Sequence, residues 1–308
     1  MDIALPEIQH FSKQEQVDFL TEINVEDMSA SFGLENLPFG KGVLHRFGRM
    51  PARRFSRQML KYDNDIAAFG LQTASQTALN KYISTYQIIG QANIPKSGPL
   101  LILSNHPGMT DTLVLFASIP RNDLQIVAAE RPFLQALPNV TSKLIFVKDD
   151  TSKRMTAVRK AVRHLKQGGA LLTFPAGKIE PDPAVMPGAI NAISNWSESI
   201  AIFVRMVRRL KIITAIVSGV LWPKATYHPL TKLHRKQEDQ QRMGAALQAL
   251  VQSSLPFFRP INVHVVFGKP LTAADFDNPK DSKAILEGVT SQAKLLIQHS
   301  QQARTRTV

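Results

Sequence analysis

The chain has 308 residues, 44% of them hydrophobic, with 37 Lys and Arg against 24 Asp and Glu for a net charge of +13. That apolar content suffices for a sizeable buried core and excludes wholesale disorder, while the excess of cations calls for an anionic partner such as a membrane, a phosphorylated substrate or nucleic acid. The absence of cysteine excludes disulfides, thiolate metal sites and a covalent cysteine intermediate, and fits a reducing compartment.

In chain order, the first forty residues are acidic, with Lys13 the one cation among them, and a helix is expected over 13–23. A Gly- and Pro-bearing loop is expected over 32–42. Charge then inverts: Lys41, Arg46, Arg49, Arg53, Arg54, Arg57 and Lys61 alternate with Val43, Leu44, Phe47, Met50, Phe55, Met59 and Leu60, with no acid between. Pro51 is expected to begin a new helical piece there. Such a basic amphipathic stretch suits the surface of an anionic membrane, or equally a helix packed on the protein with a solvated basic face. A third helix is expected over 64–86, completing a small N-terminal helical domain, 1–86, that carries no catalytic chemistry.

From residue 86 the pattern becomes alternating strands and helices, predicting an α/β domain over 87–300 built on a mixed central sheet flanked by helices. Strands are expected near 86–91, 100–104, 124–129, 144–147, 171–174, 212–217 and 261–267. Helices are expected over 111–119, 151–167, 189–208, 238–254 and 282–299, followed by a frayed tail, 301–308. No secretory signal is read at the N-terminus, and Arg205, Arg208, Arg209 and Lys211 interrupt the most apolar run, so no spanning helix is expected. Zinc-finger spacing, an RNP-like motif and an aromatic stacking platform are lacking, which argues against nucleic acid.

The chemistry concentrates where the expected strand 100–104 meets its helix, at Ser104-Asn105-His106-Pro107-Gly108-Met109-Thr110-Asp111. A histidine at a strand's end and an aspartate in the first turn of the next helix are folded toward each other by the corner. The carboxylate can then hold one imidazole nitrogen while the other faces a substrate hydroxyl. On spacing alone, Asp111 serves equally well as a helix cap and His106 as a turn residue. A second constellation is Phe174-Pro175-Ala176-Gly177-Lys178-Ile179-Glu180-Pro181-Asp182, a sharp turn at a strand end followed by a cation suited to phosphate.

The first box resembles the H-x4-D motif of the glycerolipid acyltransferases, the lysophosphatidate acyltransferase type. The lead-in GPLLILSNHPG and the later block Leu172–Gly177, similar to that family's F-P-E-G box, extend the resemblance over roughly residues 88–223. It implies that His106 is the general base and Asp111 its orienting partner, with Asn105, Gly108, Phe174, Pro175, Gly177 and Lys178 at the substrate. Lys148, after the apolar run 145–147, is the nearest match to a phosphate-binding arginine. The resemblance implies transfer of a fatty acyl group from acyl-CoA or acyl-carrier protein to a lysophospholipid or glycerol phosphate. It implies no metal and no cofactor besides that thioester co-substrate, and a cytoplasmic protein on the membrane periphery. The sequence departs from the family where its Glu aligns with Ala176 and its Arg with Ile179, which leaves a different polar lipid open as acceptor. A non-catalytic protein binding anionic lipid is the other alternative, against which the intact His106 and Asp111 argue. Leu113, Phe116, Phe133, Leu134, Phe174 and Trp222 are candidates for an acyl groove or for plain core packing.

Overall fold

Strand β2 (Leu100–Ser104) is apolar at every position but its last, and the computed structural model shows why. Leu100 and Ile102 point into one core while Leu101 and Leu103 point into another, so both faces of the strand are covered by helices. The structure describes residues 11–31, 40–147, 151–233, 237–255, 258 and 261–305. Seven strands form one mixed sheet in the order β1-β7-β6-β2-β5-β3-β4. These are β1 (Ile83–Ile89), β3 (Leu124–Ala129), β4 (Leu144–Val147), β5 (Ala170–Thr173), β6 (Lys211–Ser218) and β7 (Ile261–Phe267), with β2 at the centre. All paired neighbours are parallel except β6 and β7. This is the α/β class with the mixed sheet that the sequence predicts.

One core lies under helices α1 (Lys13–Ser31), α2 (Gly40–Leu79) and α3 (Thr110–Ser118), where Leu20, Tyr62, Ile66, Ala74 and Leu115 meet Leu100 and Ile102. Two one-turn helices, α4 (Pro132–Gln135) and α5 (Pro138–Thr141), close that side. The opposite core is roofed by α6 (Thr151–Lys166), α7 (Ala189–Ile193), α8 (Ile200–Met206) and α11 (Ser282–Thr305), through Leu165, Ile193, Phe203, Val289 and Ile297. The short α9 (Pro223–Thr226) and α10 (Gln237–Ser254) sit beyond the end of β6.

Several expected boundaries change. Helix α1 runs on to Ser31, and α2 passes through Pro51 without a break, its one non-helical residue being Gly70 at φ 81° and ψ 166°. The lost hydrogen bond at Pro51 is offset by packing: Ala52 is buried, and its carbonyl accepts from Asn24 Nδ2 of α1 at 3.4 Å. The expected loop 32–42 lies outside the described residues except for its last three, which are helical. The third helix stops at Leu79, and the expected boundary at 86 falls inside β1. The expected helix 189–208 is two helices, because residues 194–199 turn aside and Ser197 N–H donates to Pro175 O at 3.2 Å. Helix α11 reaches Thr305, into the stretch expected to fray.

Part of the basic stretch 41–61 packs on the protein, while Met50 is 61% exposed and Arg57 is exposed. Phe55 stacks on Phe133 at 5.6 Å, and Met59 and Leu60 join the first core. Arg49 pairs with Glu22 at 3.0 Å and Arg53 with Asp18 at 2.8 Å, both acids of α1, while Arg54 donates to Ser254 O. The acidic and basic N-terminal segments thus meet each other.

Candidate active site

Three neighbouring strands, β6, β2 and β5, run parallel and end together, so the segments that follow them converge at one sheet edge, where α/β proteins place their ligands. The His106 corner follows β2, the F-P-A-G turn follows β5, and a glycine turn at residues 219–221 follows β6.

At the corner, His106 Nδ1 donates to Asp111 Oδ2 at 2.8 Å. Asp111 is fully buried in the first turn of α3, and its carboxylate is fixed further by Gly108 N–H at 3.2 Å and by the backbone N–H and hydroxyl of Thr112 at 2.6 and 3.2 Å. The His106 side chain stays 29% exposed, and its Nε2 meets no hydrogen-bond partner among the described residues. One nitrogen is therefore oriented and the other presented. Burial acts to lower the imidazole pKa, but the charge and hydrogen bond of Asp111, with the charge of Glu180, outweigh it and leave it raised above the usual value. The ring lies against Phe174, stacked at 4.5 Å and 28°, so the two boxes meet face to face.

The remaining predicted residues divide between support and surface. Asn105 is 1% exposed, and Val217 takes both of its amide atoms: Nδ2 donates to Val217 O at 2.9 Å and Oδ1 accepts from Val217 N–H at 2.8 Å. It ties the end of β2 to β6. Gly108 gives its N–H to Asp111, and a side chain there would press on Leu221 and Val220 at 3.4 and 3.6 Å. Pro175 is buried, with its carbonyl used by Ser197. Gly177, at φ +64°, closes the turn by donating to Phe174 O at 3.0 Å, and its positive φ is the reason for glycine. Lys178 is half-buried two residues before Glu180. Lys148 lies outside the described residues. Of the groove candidates, Phe116 and Phe133 are buried core, while Leu113, Leu134, Phe174 and Trp222 are partly buried against that core.

Two acids that sequence reasoning left in the margin are structural keystones. Glu180 Oε2 accepts the His106 backbone N–H at 3.0 Å, its own N–H donates to His106 O at 2.8 Å, and its Oε1 accepts the Trp196 indole N–H at 3.0 Å. Burial pushes its carboxyl up to about 7, against the hydrogen bonds from Trp196 and His106 and the imidazole charge that pull it down. Asp182 accepts four backbone N–H groups, from Ala184, Gly219, Val220 and Leu221, at 2.8 to 3.0 Å. Burial still raises its pKa above the ordinary range despite those bonds. The available signal is the run Glu180-Pro181-Asp182-Pro183. Prolines at alternate positions forbid helix and ladder, so acids held there have loop N–H groups to satisfy.

The corner thus sets an oriented, part-exposed imidazole at the edge of an α/β sheet. Residues 85–217, from β1 through β6 and including both boxes, match the family model described as Acyltransferase. Among solved structures, the crystal structure of the 1-acyl-sn-glycerophosphate acyltransferase PlsC from Thermotoga maritima is similar at 14% identity and a TM-score of 0.46, over 91% of this chain and 98% of that one. No curated protein sequence matches.

Proposed function

We propose that the protein transfers a fatty acyl group from an acyl-CoA or acyl-carrier-protein thioester to the hydroxyl of a lysophospholipid or glycerol phosphate, with His106 as general base. The observation that carries this reading is the pair itself: Nδ1 held at 2.8 Å by a fully buried Asp111 while Nε2 stays open. In the reaction, Nε2 takes the acceptor's hydroxyl proton as the oxygen attacks the thioester carbonyl. The tetrahedral intermediate collapses, the C–S bond breaks, and the leaving thiolate recovers the proton from the imidazolium. Asp111 stabilises that cation and fixes the tautomer, as in other His–carboxylate pairs. No protein nucleophile, metal or further cofactor enters the scheme.

Lys178, and Lys148 by its sequence position, are the cations for an acceptor phosphate. Ala176 and Ile179, which stand where the glycerolipid family carries charge, favour a second reading in which the acceptor is another polar lipid. No described helix is long and apolar enough to cross a membrane, which accords with peripheral action at the cytoplasmic face. Labelled acyl-CoA and acyl-carrier protein tested against lysophosphatidate, glycerol 3-phosphate and uncharged lyso-lipids should give transfer that His106→Ala abolishes. For a phosphate acceptor, Lys178→Ala should raise acceptor KM about tenfold or more and leave donor KM unchanged. Near-normal transfer by His106→Ala sinks the base assignment.

A further inference from the structure

Between β6 and α10 the chain inverts the usual burial rule. Small residues of the strap, Ala225, Thr226 and Thr231, are buried, whereas Tyr227 is 60% and Leu230 46% exposed. Lys224 and Lys232 stand exposed beside them. The inversion is built into the packing. Gly244 brings α10 so close that a side chain there would lie 3.0 Å from Thr226 Cα. Thr226 Oγ1 donates to Trp222 O at 3.1 Å, Thr231 Oγ1 donates to His228 O at 2.7 Å, and Tyr227 donates to Val185 O at 3.2 Å. The strap therefore holds its large apolar groups outward. It leaves the sheet directly after Val220 and Leu221, the residues against Gly108, and Met109 of the histidine corner, 51% exposed, adds to the same rim. Residues 199–237 contain no Asp or Glu at all.

We infer that this strap, residues 223–232, is the surface on which the protein lies against an anionic bilayer. Tyr227 and Leu230 enter the boundary between headgroups and acyl chains, while Lys224 and Lys232 meet lipid phosphates. Protruding apolar groups spaced among cations suit a bilayer, which needs no socket. The basic face of α2 is the weaker surface, because Arg49 and Arg53 are paired with acids and Phe55 faces inward. The inference rests on a lipid acceptor for its purpose, and its test reads binding apart from turnover.

Full-length protein should pellet with vesicles of phosphatidylglycerol and phosphatidylethanolamine, less with phosphatidylcholine alone, and less at high salt. Replacing Lys224, Tyr227, Leu230 and Lys232 by Ser together should weaken partitioning about tenfold or more. Transfer to a short-chain, monomeric acceptor should be unchanged, which shows the fold intact despite the lost Tyr227–Val185 bond. Independently, Leu230→Trp should add a blue-shifted emission component on mixing with the anionic vesicles. Unchanged pelleting of the Ser variant, or an added tryptophan that stays in water, overturns the inference. So does wild-type protein that ignores vesicles but binds an acidic acyl-carrier protein through these four residues. If no acceptor is acylated yet pelleting still depends on the strap, the membrane surface stands and the acyl-transfer reading falls.

Discussion

At the scale of single residues, the site is governed by two carboxylates that hold one histidine from opposite sides. Asp111 fixes the ring and Glu180 fixes the backbone. A base must be neutral to act, and the His106 pKa is raised above 6.5, so kcat/KM should fall as pH drops through a value above 6.5. Asp111→Asn removes the charge and misorients the ring. It should move that acid limb to lower pH and slow turnover about a thousandfold or more in a pH–rate series. Glu180 makes a separate prediction. Its folded pKa, about 7, exceeds the unfolded value near 4.5, so between those values the native state binds the proton and the unfolded chain does not. Its contribution to stability is full below about 4.5 and declines as pH rises toward 7, by an upper bound of about 3 kcal/mol. Denaturant melts of Glu180→Gln from pH 4 to 8 should flatten this decline. An unaltered slope would assign the pH dependence to other groups.

At the scale of elements, the site exists because the ends of β6, β2 and β5 are tied across the sheet edge. Asn105 bridges β2 to β6, Glu180 bridges the β5 loop to the β2 corner, and Asp182 bridges that loop to the turn after β6. Asp182→Asn keeps one oxygen, and so two of the four accepted bonds, but turns an amide N–H₂ toward the other two backbone donors. It should cost about 3 kcal/mol in urea melts and lower the melting temperature, with activity falling through the displaced Leu221–Gly108 contact. The strands and the His–Asp corner were legible in the sequence, because periodicity and breaker residues are local signals. The ties were not. Nothing local in the sequence names the partner of Asn105, Val217, which lies 112 positions away. The break at residues 194–199 carries no proline or glycine, and the long-range bonds of Trp196 to Glu180 and of Ser197 to Pro175 accompany it. The inward face of α2 was ambiguous for the same reason, since a basic amphipathic helix has the same pattern whether it meets lipid or protein.

At the scale of the molecule, the sheet's first core is completed by chain that precedes it. Leu20 of α1 and Tyr62, Ile66, Leu71, Ala74 and Leu79 of α2 belong to the cluster that contains Leu100, Ile102 and Val265. Polar bonds follow the same contact. Asp63 accepts from Asn139 Nδ2 and Val140 N–H, each at 2.8 Å, and Gln72 and Gln76 both donate to Ala117 O at 3.2 Å. Each large apolar side chain withdrawn from water contributes about 1.5–3 kcal/mol, against a total stability of about 5–15 kcal/mol for a typical domain. Losing the helices strips several such residues at once and opens one face of α3, the helix that carries Asp111. A fragment of residues 80–308 should therefore expose hydrophobic surface, show no cooperative thermal transition and transfer no acyl groups. Calorimetry of the fragment beside the full chain makes the test. A sharp transition with retained activity would show that the helices are an appended unit and that the sheet is sufficient to hold the His–Asp corner.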